Sequence, residues 1–216
     1  MIRLEKVSKR YPGGFEALSQ VDFSMEQGEM VFLTGHSGAG KSSLLKLVCA
    51  LERPTAGQIT VNGVRLDTLK KSGIAPFRST LGITFQSPFF VSDRTVFENI
   101  ALPLHIQGMP GAILQKRVHA ALDRVGLLDR ANSLPPQLSA GEQQRLGLAR
   151  AIVHKPALLL ADEPTGNLDP GLSVEIMRLF EQLNQAGVSV LVATHELGLI
   201  ASMKHRIVCL KGGRAC

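Results

Sequence analysis

Two short stretches near the start of the chain, Ile2 to Val7 and Val21 to Met25, alternate apolar and polar positions, and Pro12-Gly13-Gly14 between them is a turn signal. A period of two puts one strand face on a core and the other in solvent, so the pattern predicts antiparallel strands. At Met30 the pattern changes to a continuous apolar run, Met30-Val31-Phe32-Leu33-Thr34, as expected of a strand covered on both faces. A glycine-rich turn follows at once, then a segment with helical spacing, Ser42 to Leu51. Gln58 to Val61 and Leu81 to Phe85 read as further strands, the first closed by the turn dipeptide Asn62-Gly63.

Beyond Gln86 the spacing becomes helical in three blocks, Thr95 to Ile106, Gly111 to Val125 and Gly141 to Val153. Two more buried-type strands, Ala157 to Ala161 and Ser189 to Ala193, flank an amphipathic stretch, Leu172 to Gln185, that Gly187 stops. Strand, helix, strand in that order implies a right-handed crossover and therefore a parallel sheet. No repeat of 20 to about 50 residues is present, which argues against a solenoid or propeller. The expected organisation is one α/β domain over 1–216. A β subdomain and parallel core span about 1–86 and 155–216, and a helical subdomain is inserted at about 87–154.

Composition narrows the class. Hydrophobic residues make up 44% and charged residues 19%, with no low-complexity tract, so the chain should be globular. The net charge of +6 comes from scattered Lys and Arg rather than a block. This suits a protein that handles a polyanionic nucleotide near an anionic membrane face better than one that binds nucleic acid. Charges at every second or third position in Met1 to Tyr11 leave no apolar core for an export signal. No apolar run approaches the roughly 18 residues needed to cross a bilayer. Cys49, Cys209 and Cys216 are odd in number and lack metal-ligand spacing, so reduced packing thiols of a cytosolic protein are expected.

The chemistry starts at Gly35-His36-Ser37-Gly38-Ala39-Gly40-Lys41-Ser42, a complete P-loop placed between a strand and a helix. Glycines let successive N–H groups turn toward phosphates, and the helix N-terminus adds its positive end. Lys41 is expected on the β and γ phosphates of ATP and Ser42 on Mg²⁺, with Ser43 alongside. The run Leu158-Leu159-Leu160-Ala161-Asp162-Glu163 is a buried strand ending in two carboxylates. Asp162 at the strand end is placed for Mg²⁺, and Glu163 beyond it for polarising the water that attacks the γ phosphate.

Leu138-Ser139-Ala140-Gly141-Glu142-Gln143-Gln144-Arg145 resembles the signature motif of the ABC ATPases. Physically, Ser139 and Gly141 open a helix. That end suits either a phosphate or simple N-capping by Ser139. The resemblance implies a P-loop NTPase fold with a RecA-like core, a head-to-tail homodimer, and ATP held between the P-loop of one copy and Ser139, Gly141 and Gln144 of the other. It also implies that Gln86 is the Q-loop glutamine and a Mg²⁺ ligand, that Asn167-Leu168-Asp169 is the D-loop, and that His195 contacts the γ phosphate and attacking water. Tyr11 takes the place of the ring that stacks on adenine, with an ordinary edge-strand tyrosine as the other reading. Ala140 departs from the glycine usual in the family. Its methyl restricts the backbone, and lower activity than in an Ala140→Gly variant is expected.

Phe32 to Ser42, Asp93-Arg94-Thr95-Val96 and Ala161 to Asp169 resemble the FtsE branch, the bacterial cell-division ATPases; the last stretch is shared with other branches, and His36 with the Phe32-Leu33-Thr34 lead-in favours FtsE more specifically. That resemblance implies a subunit on the cytoplasmic face of the inner membrane at the division site. It would be held there by an FtsX-like integral membrane protein and would control peptidoglycan hydrolases. Lipoprotein-release and macrolide-export ATPases share the catalytic residues and stand as the alternative. Pro88-Phe89-Phe90-Val91, with Phe97 and Ile100, fits a groove for a partner helix or burial in a helical core equally well.

Overall fold

The computed structural model describes residues 1–86, 89–166 and 168–216. Strands β1 (Ile2–Arg10) and β2 (Glu16–Met25) pair antiparallel, with Ile2 opposite Met25 and Leu4 opposite Phe23. β3 (Met30–Thr34) is buried along its whole length, and α1 (Lys41–Val48) follows the glycine turn. α1 ends before Leu51 because Ala50 turns left-handed and the Leu51 N–H folds back on the Lys46 carbonyl.

β4 (Ala56–Val61) joins the free edge of β1, and a tight turn with Asn62 and Gly63 both at positive φ leads to β5 (Val64–Arg65). The result is a four-stranded antiparallel sheet in the order β2-β1-β4-β5. The hydrophobic pattern did not predict α2 (Lys71–Arg78), which contains Gly73 and Pro76 and has no side-chain N-cap. Tertiary contacts hold it: Phe77 is buried, and Arg78 donates to the carbonyls of Cys49 and Ala50 at the end of α1.

β6 (Leu81–Thr84) leads toward three helices, α3 (Val96–Ile106), α4 (Gly111–Arg124) and α5 (Ala140–Ile152). Thr95 and Ser139 begin α3 and α5 with reciprocal capping boxes to Glu98 and Glu142. Ile100, Leu104, Val118, Leu122, Leu146 and Ala149 form a separate core between the three helices. Asn99 is fully buried there and bonds the carbonyls of Val91, Arg94 and Thr95, which ties the preceding loop to α3.

β7 (Leu158–Asp162), α6 (Pro170–Gln185) and β8 (Ser189–Ala193) make the expected crossover. After the short α7 (Leu197–Ile200) come β9 (Arg206–Lys211) and β10 (Arg214–Ala215), which the sequence reading did not predict; the apolar run of β9 is only four residues, Ile207 to Leu210. The main sheet runs β10-β9-β3-β8-β7-β6. Five strands are parallel and β10 is antiparallel, so the sheet is mixed rather than wholly parallel.

Alternation explains the unbroken apolar runs. Val31, Leu33, Leu158, Leu160 and Leu191 face α1 and the antiparallel sheet, while Phe32, Leu159, Val190 and Val192 face α6 and the end of α5. Of the three thiols, only Cys49 is buried, and burial pushes its pKa up to about 11. Cys209 is half-buried and Cys216 is exposed, so packing does not account for the last.

Candidate nucleotide site

The C-terminal ends of β3, β7 and β8 converge on one cleft of about 590 Å³, lined by the glycine loop, Gln86, Glu163 and His195. This is where a parallel α/β sheet leaves room for a ligand. The glycines are demanded by different neighbours. A methyl on Gly35 would lie 2.3 Å from the Leu210 carbonyl oxygen of β9, and one on Gly40 2.5 Å from the Ala17 carbonyl oxygen of β2. Gly38 faces open space and is needed for its positive φ alone.

Lys41 is 6% exposed at its side chain, with Nζ donating to the Gly35 carbonyl at 2.8 Å and lying 3.4 Å from Glu163 Oε1. Glu163 Oε2 accepts from His195 Nδ1 at 2.8 Å and from the His195 backbone N–H at 3.4 Å. Ammonium, carboxylate and imidazole therefore form one chain, with the His195 ring 60% exposed at the cleft edge. Glu163 has φ +46, a left-handed backbone rare for such a residue, and its N–H donates to the Ala193 carbonyl.

The Ser42 hydroxyl donates to Asp162 Oδ1 at 3.1 Å. Burial raises the Asp162 carboxyl above its usual range. The bond from Ser42 and the charge of Lys41 oppose that shift, while Glu163 adds to it. Such a carboxylate gains from a nearby cation. Among the described residues no group of three His, Cys, Asp or Glu side chains could hold a metal by itself. The oxygen donors present suit Mg²⁺, which takes few protein ligands and fills its remaining positions with phosphate and water oxygens.

Other expected residues are placed less directly. Tyr11 is not among the residues lining the cleft. Its hydroxyl pairs with the Ser43 hydroxyl at 3.2 Å, and its ring stacks against Phe15, which does line the cleft and is 60% exposed. His36 lines the cleft with its ring tied to the Ser37 carbonyl. Gln144 does not reach the cleft of its own chain; it is buried and donates to the Gln86 carbonyl at 2.7 Å.

Ser139 and Gly141 also lie outside that cleft. Ser139 Oγ accepts from the Glu142 N–H, and a methyl on Gly141 would meet the Leu172 side chain. Asn167 lies outside the described residues, as does Pro88. Asp169 caps α6 through the Leu172 N–H.

Sequence reading missed Phe15 and the buried Thr165, whose hydroxyl donates to Glu196 at 2.7 Å and links the segments after Glu163 and His195. The adjacency of Glu196 to His195 was the available signal.

Comparison with known proteins agrees with this geometry. The ABC transporter family matches residues 18–166. The cell division ATP-binding protein FtsE of Escherichia coli (strain K12) is 55% identical over 99% of this chain and 96% of its own length. FtsE of Bacillus subtilis (strain 168) is 42% identical over 99% and 93%. Among solved structures, the dimeric ATP-binding cassette MJ0796 in a post-hydrolysis state, bound to ADP and Pi, superimposes with a TM-score of 0.92. It is 34% identical, with 100% of this chain and 96% of that one covered. On these grounds the chain belongs to the ABC transporter family of ATP-binding cassettes, among the FtsE cell division ATP-binding proteins.

Proposed function

We propose that the chain hydrolyses ATP in a head-to-tail pair of copies and works as the ATPase subunit of a division complex with an FtsX-like membrane protein. The observation that carries the reading is a division of parts. One cleft is lined by Lys41, Ser42, Glu163 and His195, with Asp162 hydrogen-bonded to Ser42, yet the capped helix end at Ser139 lies outside it. A second copy can supply that helix end to the γ phosphate, where its N–H groups and dipole favour negative charge.

Within the cleft, Lys41 exchanges its contact with Glu163 for phosphate oxygens when nucleotide binds. That frees the carboxylate to accept a proton from the attacking water. His195 orients Glu163 and the water from the exposed side. Ser42 and Asp162 would hold Mg²⁺, whose charge offsets that of the phosphates. Phe15 and Ser43 border the place for the base, with Tyr11 stacked on Phe15 and hydrogen-bonded to Ser43.

The FtsX-like partner is best met by the loop before α3. Phe89 is 88% exposed beside Gln86, and its carbonyl accepts from Arg150 at 2.7 Å, so an apolar side chain stands out from an anchored backbone. No helix among the described residues is long and apolar enough to cross a membrane. Attachment at the inner face of the division site therefore runs through the partner.

The test is Glu163→Gln, measured by phosphate release and by dimer population with ATP, with and without the partner. A drop of at least about 100-fold in rate with a persistent nucleotide-loaded dimer is expected. Unchanged hydrolysis would remove Glu163 from its role.

A further inference from the structure

A second cavity, of about 640 Å³, shares no lining residue with the nucleotide cleft. It is a trough between α4, the end of α5 and the C-terminal end of α6. Pro156 and Val188 in its wall precede β7 and β8, whereas Glu163 and His195, which follow those strands, line the nucleotide cleft. A five-residue strand spans about 16 Å, so the trough lies at the opposite end of these strands.

Its lining is of two kinds. Lys116, Arg117, Arg124 and Lys155 are cationic, and among the described residues no carboxylate lines it. The cations that do form ion pairs among the described residues, such as Arg94 with Glu98 and Arg130 with Glu142, lie elsewhere. Between the charges the floor is apolar, built from Ala121, Ile152, Val153, Leu183 and Val188. Arg124 also borders a second depression that holds Arg145 and Arg178, and the Arg145 Nε is buried there with no partner among the described residues. Unpaired positive charge thus continues past the end of the trough, with Glu175 as the one acid in that second lining.

Spacing on α4 says what shape fits. Ile113, Arg117, Ala120, Ala121 and Arg124 recur at helical intervals and share one face. Arg117 and Arg124 are two turns apart, about 10.5 Å along the axis, with small alanines between them. A second helix laid along α4 would seat its apolar side chains over the alanines. Its carboxylates seven residues apart would then meet both guanidiniums. A lipid surface would meet the rim of this concavity and miss its floor, and a polyanion without apolar groups would leave that floor uncovered.

We propose that this trough is a docking site for an acidic amphipathic helix of a partner protein, held by Arg117, Arg124 and Lys155 around the Ala121–Leu183 floor. The probe is a labelled 18-residue synthetic helix with leucines on one face and glutamates seven residues apart on its flanks, read by fluorescence anisotropy.

The wild-type chain should bind it at least about tenfold more tightly than a scrambled peptide of the same composition or polyglutamate. Arg117→Glu with Lys155→Glu should abolish that preference, and Ile113→Asn should weaken it. ATP hydrolysis should stay unchanged in each variant. Should the double reversal fail to fold, Lys116→Gln with Arg124→Gln serves in its place and should weaken binding several-fold. Equal binding of the scrambled peptide, no binding of the helix, or affinity indifferent to the reversals would overturn the proposal. So would retention on phosphatidylglycerol vesicles that depends on Arg117 and Lys155 while the peptide fails to bind, since the trough would then serve the membrane. Because no residue here touches the nucleotide cleft, failure would leave the ATPase reading standing.

Discussion

Glu163 contacts a buried ammonium on one side and an exposed imidazole on the other, on a backbone whose left-handed turn costs ~1–2 kcal/mol for an L-residue. The strain turns its carboxylate to both Lys41 and His195, beside an Asp162 whose charge is disfavoured by burial. Two of the three loop glycines, Gly35 and Gly38, make a matched test of what the glycine turn requires. Gly35→Ala puts a methyl against a backbone oxygen that cannot move cheaply and should cost at least about 2 kcal/mol and abolish nucleotide binding. Gly38→Ala meets open space and should cost only about 1 kcal/mol from its backbone conformation. Thermal unfolding and nucleotide titration of both variants separate the two effects. At Ala140 the backbone is ordinary helix, so its methyl adds no strain within one chain. Its effect belongs to the approach of phosphate from a second copy. Ala140→Gly should raise the ATPase rate by a few-fold, and an equal or lower rate would count against that account.

At the scale of elements, the loop before α3 divides the two readings of its apolar run. Ile100 is fully buried, and Phe90 and Phe97 pack against the helical core, with Arg150 over the Phe90 ring at 4.8 Å. Phe89 and Val91 are exposed, Phe89 far more fully at 88%. Phe89→Asp should leave the unfolding midpoint within about 1 °C and cut partner binding at least tenfold, whereas Phe90→Asp should destabilise the helical layer. Just beyond α5, His154 carries a pH prediction. Burial lowers its pKa below the ordinary 6.5, and the charge of Arg117 adds to the shift. The Leu81 backbone approaches the ring without reaching hydrogen-bonding geometry. The unfolded chain takes up this proton more readily than the folded one, so the stability His154 contributes is present above pH 6.5 and declines as pH falls below it. A loss of unfolding midpoint between pH 6.5 and 5.5 that is smaller in His154→Leu is the expected result. The carboxylates held low by their partners, Asp67, Glu98 and Glu142, enter only at more acidic pH.

The whole molecule stacks the antiparallel sheet, α1, the mixed sheet and α6 in layers, with the three-helix layer to one side. That arrangement sets the nucleotide cleft and the basic trough at opposite ends of the strands of one sheet.

Local sequence determined the elements whose signal is self-contained. Met30–Thr34 and Ser189–Ala193 match the structure residue for residue, because strands covered on both faces must be apolar throughout. The capped starts of α3 and α5 were legible for the same reason, since Thr95–Glu98 and Ser139–Glu142 satisfy their own N–H groups. The P-loop, Asp162 and Glu163 could be named from motif and strand end, whereas His195 was named through the family resemblance. Tertiary structure decided what depends on distant neighbours. It holds α2 through Arg78 despite Pro76, and it recruits β9, whose apolar run is only four residues, beside β3. It also turns Gln144 inward to the Gln86 carbonyl and leaves Phe15, rather than Tyr11, facing the cleft. These outcomes rest on packing and hydrogen bonds between residues far apart in the chain, and no local period records them.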